Sequence, residues 1–522
     1  MNGAQSLIRT LVANGVDTCF TNPGTSEMHF VAALDTVPEM HGVLALFEGV
    51  ATGAADGYAR MADRPACTLL HLGPGLGNGL ANLHNARKAA TPVVSIVGDH
   101  ATYHKQYDAQ LESDIETVAR NVSTFVRWSA KPDEVAGDAA DAIAAAYGPP
   151  GQVATLILPA DVSWSDVAGA PGSLPRAERR SARAVADDTI RDIAQALKSG
   201  APAALLVGGR ACRRGELERA RAIADATGAK LLCETFPARI ERGAGIASVD
   251  RIAYLAEFAA MQLDGLEHLV LVDAKSPVSF FAYPGKASDL VPQGCTVHTL
   301  AGPADDATGA LAALGDRLGA DPRTAAVAQP ARPDGPTGPL DAGALCAVLG
   351  ALLPEGAIVS DEGNTSGLFA PGATAGAPPH DWLCLTGGAI GQGLPVALGA
   401  AVACPDRRVI ALESDGSALY TMQSWWTMAR EGLDVTTIIC NNGAYAVLNM
   451  ELGRVGAEAA AGPVARSMFE LHRPDLDFVA LAKGMGLPAS RATTADELHD
   501  QLARSLATEG PCVIEAMVPP IA

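Results

Sequence analysis

The chain has 522 residues, 48% of them hydrophobic and 18% charged, with a formal net charge of −20. That length suggests about three domains, and the composition supplies large buried cores, which excludes a globally disordered chain. An acidic field repels phosphates, so non-specific nucleic-acid binding is excluded, and no apolar run reaches the ~18–20 residues of a membrane span.

Met1 to Gly15 carries the pattern of an amphipathic helix and lacks the apolar core of a signal peptide. The first third then shows short apolar runs at Thr18–Phe20, Val43–Phe47, Thr68–His71, Val93–Val97 and Thr155–Leu158. The stretch 166–188 is rich in Pro, Gly and charge and reads as a linker. Runs at Ala203–Val207, Lys230–Cys233, His268–Val272 and Thr296–Leu300 follow, then a Pro-rich linker at 320–340. The last third repeats the pattern at Ala357–Val359, Val409–Leu412, Thr436–Cys440 and Val513–Ala516. Apolar runs of strand length alternating with Ala-rich helical patterns predict an α/β protein of three doubly wound parallel-sheet domains, at 1–165, 189–319 and 341–522. Ligands of such sheets collect beyond the carboxyl ends of the strands, so the residues after each strand are the candidates for function.

The ten cysteines, from Cys19 to Cys512, form no CxxC pair and no His/Cys cluster. Zinc is therefore not expected, and the thiols read as core residues of a protein in the reducing cytoplasm.

Two loops of the last domain carry the strongest pattern. The strand ending at Leu412 runs into Glu413-Ser414-Asp415-Gly416-Ser417, and the strand ending at Cys440 runs into Asn441-Asn442-Gly443-Ala444-Tyr445. One βα unit separates them, so both polar ends emerge at the same sheet edge. A carboxylate, a side-chain amide and a loop carbonyl are hard oxygen ligands suited to Mg²⁺ shared with phosphate. Gly416 allows close approach to an anion, and Ser417 is expected to open a helix whose N-terminus favours phosphate. In the first domain, Glu48 follows an apolar strand and opens a helix of small residues, which demands a partner or a raised pKa.

The pair of loops resembles the thiamine-diphosphate (ThDP) signature, Gly-Asp-Gly followed by Asn-Asn, with Ser414 in place of the first glycine. NPGTSE at 22–27 and FEGVATGAADGYAR at 47–60 are similar to the pyrimidine-binding domain of benzoylformate decarboxylases and acetolactate synthases. The resemblance covers nearly the whole chain, in the order pyrimidine-binding, central and diphosphate-binding domain. It implies that Asp415, Asn442 and the Ala444 carbonyl hold Mg²⁺, and that Asn364, Thr365, Gly416, Ser417 and Tyr445 belong to the diphosphate site. Glu48 would be the activating glutamate at the aminopyrimidine nitrogen, the Gly388 carbonyl would accept the aminopyrimidine amine, and Ile390 would hold the cofactor bent.

Thr25 and His71 match the polar residues of benzoylformate decarboxylases, whose second histidine is replaced by the apolar segment Ser279–Tyr283. Gln110-Leu111 stands where acetolactate synthases carry Phe-Gln, and no tryptophan follows the Asn-Asn loop, so Asn449 and Met450 are expected to line the substrate pocket with Gln110. HLGPGLGNG at 71–79 is expected to be a turn that approaches the cofactor. Val207-Gly208-Gly209-Arg210 is a weak nucleotide signal, and an empty central domain without FAD is expected. The implied function is ThDP- and Mg²⁺-dependent, non-oxidative decarboxylation or carboligation of a 2-oxo acid, in a homodimer or homotetramer with active sites between subunits. A 2-hydroxyacyl-CoA lyase using the same site, and a ThDP-binding protein with little catalysis, are the alternatives.

Overall fold

The computed structural model describes residues 1–168 and 174–520, so part of the linker at 166–188 lies outside the described residues. Its first sheet contains β1 (Thr18–Asn22), β2 (His41–Leu44), β3 (Ala66–Leu70), β4 (Val93–Asp99), β5 (Phe125–Trp128) and β6 (Val153–Pro159), in the order β2-β1-β3-β4-β6-β5. The second contains β7 (Ala203–Val207), β8 (Lys230–Cys233), β10 (Asp250–Arg251), β11 (His268–Val272) and β12 (Thr296–Ala301), in the order β10-β8-β7-β11-β12. Between them in sequence, β9 (Ile240–Arg242) leaves the central region and pairs antiparallel with the last sheet. That sheet adds β13 (Ile358–Glu362), β14 (His380–Cys384), β15 (Val409–Ser414), β16 (Val435–Asn441), β17 (Ala489–Ala492) and β18 (Cys512–Met517), in the order β17-β18-β16-β15-β13-β14-β9. Every other pairing is parallel.

The expected class is the observed one, and the reason is burial. The central strands β3, β4, β6 and β16 are buried at every position, because helices cover both faces, and so they appear in the sequence as continuous apolar runs. The strands absent from the sequence reading are β5, β9, β10, β14 and β17. Four of these are short or partly exposed, as in Phe-Val-Arg-Trp for β5 and Ala-Ser-Arg-Ala for β17. β14 is fully buried but begins with His380 and Asp381. β2 stops at Leu44 rather than Phe47, and Ala45–Phe47 turn the chain into the helix Glu48–Ala62.

The stretch at 71–79 is not a turn. A helix runs from Leu72 to Lys88. Its glycines admit neighbours rather than bend the backbone: a Cβ on Gly73 would overlap Ser113 Oγ, and one on Gly79 would stand 2.8 Å from Thr52 Cγ2. The helix after β15 begins at Asp415, two residues before the expected Ser417.

The first and last domains share one core, in which Phe20, Val50 and Leu70 pack in a cluster with Leu394, Val396 and Trp425. Its centre is the crossing of the helix Glu48–Ala62 over the helix Gly393–Ala403, where glycines on both partners let the backbones touch. A Cβ on Gly57 would overlap the Val396 carbonyl, and one on Gly399 would overlap the Ala54 carbonyl and stand 2.6 Å from the Tyr58 amide nitrogen. Gly399→Val is expected to destabilise the protein by at least the ~1–3 kcal/mol of overpacking a close-packed core. Thermal unfolding monitored by circular dichroism should show a clearly lower midpoint or no folded protein. Gly137→Ala, where an added methyl meets nothing within 4 Å, should leave the midpoint unchanged or raise it. Equal midpoints for parent and Gly399→Val would rule out the tight crossing.

Candidate cofactor site

In the last sheet the strand order reverses at β13, which lies between β14 and β15. Such a switch point opens a crevice at the carboxyl ends of the strands. The loops after β13, β15 and β16 meet there. Asp415, 2% exposed, is the link: Oδ1 accepts the Gly416 amide at 2.8 Å, and Oδ2 accepts those of Asn442 at 3.1 Å and Gly443 at 2.7 Å. Burial raises its pKa, against the pull of these N–H donors. Among the described residues no Lys or Arg pairs with it. Asn442 Oδ1 accepts the Ala444 amide at 2.9 Å, and the loop is clamped by bonds from Tyr445 N to the Phe469 carbonyl and from Leu471 N to the Gly443 carbonyl.

Ser414, which replaces a glycine of the signature, does not strain the turn. Its φ is −82°, open to any residue, and its hydroxyl donates to the Glu362 carbonyl at 2.7 Å and accepts from Asn364 Nδ2 at 2.8 Å. Asn364 has a left-handed φ of +46° and also donates to Ser417 Oγ at 3.1 Å, with Thr365 half-buried beside it. Gly416 makes room for the ring of Tyr445, because a Cβ there would overlap Tyr445 Cε1. Asp415, Asn442, Ala444, Asn364, Thr365, Gly416, Ser417 and Tyr445 therefore share one edge. One carboxylate, one amide oxygen and one main-chain carbonyl fit a hard divalent ion that takes phosphate oxygens as further ligands. Among the described residues no group of three His, Cys, Asp or Glu could hold a metal, so these neutral oxygens would be needed.

Sequence reasoning missed two acids beneath this edge. Glu362 is fully buried and accepts the amides of Gly391, at 2.7 Å, and Gly393, and burial pushes it up to about 7. Glu413 is fully buried, and neither oxygen finds a partner among the described residues; burial, then the neighbouring Glu362, push it well above the carboxylate range. The only sequence signal was an acid at the end of an apolar strand, which also describes an ordinary helix start.

Glu362 thereby fixes the turn at 387–393. Gly388, with φ +73°, is exposed, and Ile390 is half-buried two residues on. The turn is held from the first domain by the helix Leu72–Lys88: Asn85 Nδ2 donates to the Ala389 carbonyl at 2.8 Å, Asn82 Nδ2 to the Gly391 carbonyl at 3.1 Å, and His84 Nε2 lies 3.1 Å from the Gly387 carbonyl. Phe280 covers it from the central region, its Cζ 2.7 Å from where a Gly388 Cβ would stand. The apolar segment Ser279–Tyr283 thus reaches the turn, with Phe280 as an aromatic cap.

The first sheet reverses at β1, between β2 and β3, and the groups after those strands form the second edge. Glu48, 8% exposed, is the first residue of its helix, and its Oε2 accepts from Asn78 Nδ2 at 3.0 Å. Gly75 separates Glu48 from His71, since a Cβ there would stand 3.0 Å from Glu48 Oε1 and 3.4 Å from His71 Cβ. His71 Nδ1 lies 2.8 Å from Oε2 of Glu27, a residue of NPGTSE that the sequence reading had not singled out. Thr25, two residues earlier, is exposed. Gln110 lies on an exposed turn, and Asn449 and Met450 are exposed on the helix Ala446–Arg454. No hydrogen bond joins these three to the site among the described residues.

The chain matches the thiamine pyrophosphate enzyme N-terminal TPP-binding domain over residues 1–119 and the C-terminal TPP-binding domain over residues 361–516. It is 60% identical, over 99% of both chains, to a Mycobacterium tuberculosis protein named "Putative acetolactate synthase large subunit IlvX". It is 28% identical, over 96% of both chains, to a benzoylformate decarboxylase of Pseudomonas aeruginosa. Its fold superimposes with a TM-score of 0.85, at 23% identity and 99% coverage of both chains, on the ThDP-dependent 4-hydroxybenzoylformate decarboxylase of Rhodococcus jostii. Two polar sheet edges, each at a strand-order reversal, and a TPP-binding domain at each end lead to one assignment: the chain belongs to the ThDP-dependent enzymes of the acetolactate synthase and benzoylformate decarboxylase type.

Proposed function

We propose that this enzyme catalyses Mg²⁺-dependent, non-oxidative decarboxylation or carboligation of a 2-oxo acid. The observation that carries the reading is Glu48, a buried carboxylate whose one hydrogen bond is a side-chain amide and which stands one glycine away from His71. ThDP, when bound, supplies an electron sink for the carbon that loses or gains a carbon–carbon bond. With ThDP bound, Glu48 would hold a proton opposite the aminopyrimidine nitrogen, the Gly388 carbonyl would accept the amine, and Ile390 would pack against the cofactor. Asp415, Asn442 and the Ala444 carbonyl would hold the metal, and Asn364, Thr365, Gly416 and Ser417 would meet the diphosphate, with Tyr445 packed over Gly416. His71 and Thr25 move protons at the substrate, and Gln110, Asn449 and Met450 border it.

In this reading the first-domain edge of one subunit faces the last-domain edge of another, in a homodimer or homotetramer. Exposed Leu368, Phe369, Tyr420 and Leu448 around the last-domain edge support that boundary. The central domain is structural and holds no flavin. The Gly209 and Arg210 amides, which a diphosphate would need, already donate to Glu234 and Asp273. Ten free cysteines fit a reducing compartment, and among the described residues no helix is long and apolar enough to cross a membrane.

Asp415→Ala is expected to fold and to lose tight ThDP binding in isothermal titration with Mg²⁺ present. Parental affinity in that variant would remove the metal assignment. Glu48→Gln is expected to keep ThDP binding while exchange of the thiazolium C2 proton with deuterium slows by about 10²–10⁴, the usual contribution of a general acid–base group. Quenched-flow exchange read by proton NMR makes the comparison. Equal rates in the two proteins would reduce Glu48 to a helix-start glutamate.

A further inference from the structure

Glu27 is 2% exposed, and two glycines leave room, one for its carboxylate and one for the ring it meets. A Cβ on Gly24 would overlap the His71 ring, and one on Gly98 would overlap Glu27 Oε1. Glu27 Oε2 takes two partners, the Gly24 amide at 2.9 Å and His71 Nδ1 at 2.8 Å, while Oε1 has none among the described residues. On the other side of the ring, Leu72 holds a left-handed φ of +50° although it is fully buried and is not glycine. Such a conformation is strained and persists only where the surroundings over-determine it. Here it turns the chain from β3 into the helix Leu72–Lys88 and leaves the His71 ring against Glu27. A core histidine satisfied by chance would not require a strained successor, two excluded Cβ atoms and a buried anion.

We propose that Glu27 is a positioning residue that fixes the proton of neutral His71 on Nδ1 and so leaves Nε2 as the nitrogen that exchanges protons with the substrate. Glu27 Oε2 already accepts the Gly24 N–H, so as a carboxylate it can only accept from the ring. The neutral imidazole must then carry its hydrogen on Nδ1, with the lone pair on Nε2. When Nε2 takes a proton the ring becomes a cation, and the adjacent Glu27 carboxylate balances that charge without taking the proton. Burial holds the Glu27 pKa above the usual carboxylate value, and His71, then the Gly24 N–H, pull against it. The other charged groups near the pair are Glu48, across Gly75, and Asp99, which follows Gly98 and is neutralised by Lys105 at 2.9 Å. The inference rests on reading His71 as the proton-carrying group of the proposed reaction.

The direct test needs no turnover. Nitrogen-15 NMR of the full-length protein, labelled at histidine, should show neutral His71 protonated at Nδ1; a neutral ring protonated at Nε2 overturns the proposal. Glu27→Leu keeps the volume and removes the acceptor. It should lose the fixed Nδ1–H signal, lower kcat about 10²-fold on a 2-oxo acid that the parent turns over, and leave KM within about threefold. In a His71→Ala background the same change should cost nothing further, because groups acting through one another are not additive. Multiplying losses in the double variant would assign Glu27 a purely structural role and overturn the proposal. Glu27→Gln, whose one oxygen can take the place of Oε2 and still accept from both the Gly24 N–H and His71, should fold and keep the Nδ1–H signal, and loss of that signal with the fold intact counts against the proposal. A parent that turns over no 2-oxo acid would sink the functional reading alone, with the tautomer still measurable.

Discussion

A carboxylate removed from water must find a donor, a cation or a proton, since an isolated buried charge costs many kcal/mol. Both polar edges of this enzyme are built around that requirement. Glu27, Glu48, Glu362, Glu413 and Asp415 are all buried at the carboxyl ends of apolar strands or at the helix starts that follow them. Each is answered differently: Asp415 by three backbone N–H groups, Glu362 by the turn at 387–393, Glu27 by a histidine and the Gly24 amide, and Glu48 by one amide, while burial and Glu362 push Glu413 toward its protonated form. Asp415 draws the loops after β15 and β16 together, and Glu362 draws the turn against β13. The geometry of the cofactor site is therefore the geometry of satisfied carboxylates.

The second constraint is the helix crossing between the first and last domains. Backbones approach this closely only where glycine removes the intervening Cβ, so Gly57 and Gly399 set the distance between the two domains within a chain. That distance in turn brings Asn82 and Asn85 of the helix Leu72–Lys88 within hydrogen-bond reach of the turn at 387–393. Packing of small residues far from any reacting atom thus determines where the Gly388 carbonyl stands.

Much of the fold was legible because buried parallel strands leave continuous apolar runs, as at Val93–Val97 and Ala203–Val207. The edge strands β5 and β17 were not, because their exposed positions carry Arg and Ser, and β14 hides behind a polar start that is buried through ion pairs of Asp381 with Arg239 and Arg407. The last-domain loops were readable because strand, polar pair and spacing recur together. Glu27 and Glu362 were not, since a single acid after a strand looks the same whether it caps a helix or meets a partner 44 residues away, as Glu27 does in His71. The glycines at 73–79 misled in the opposite sense. Glycine is read as a turn former, whereas here its lack of a side chain serves close contact inside a helix. The serine at 414 departs from the signature, yet its hydroxyl supplies a tie between β13, β15 and Asn364 that glycine could not make.

The helix Leu72–Lys88 links the two edges mechanically. It starts directly after His71, passes Glu48 at Gly75 and Asn78, and grips the Gly387–Gly391 turn through Asn82, His84 and Asn85. At 1.5 Å rise per residue, the imidazole and the grip lie about 20 Å apart along one rigid rod. A displacement along that rod cannot alter one end without altering the other. The His71 ring and the turn at 387–391 are thereby kept in register by a single ruler, and slippage between the two domains is converted into a coordinated shift of both.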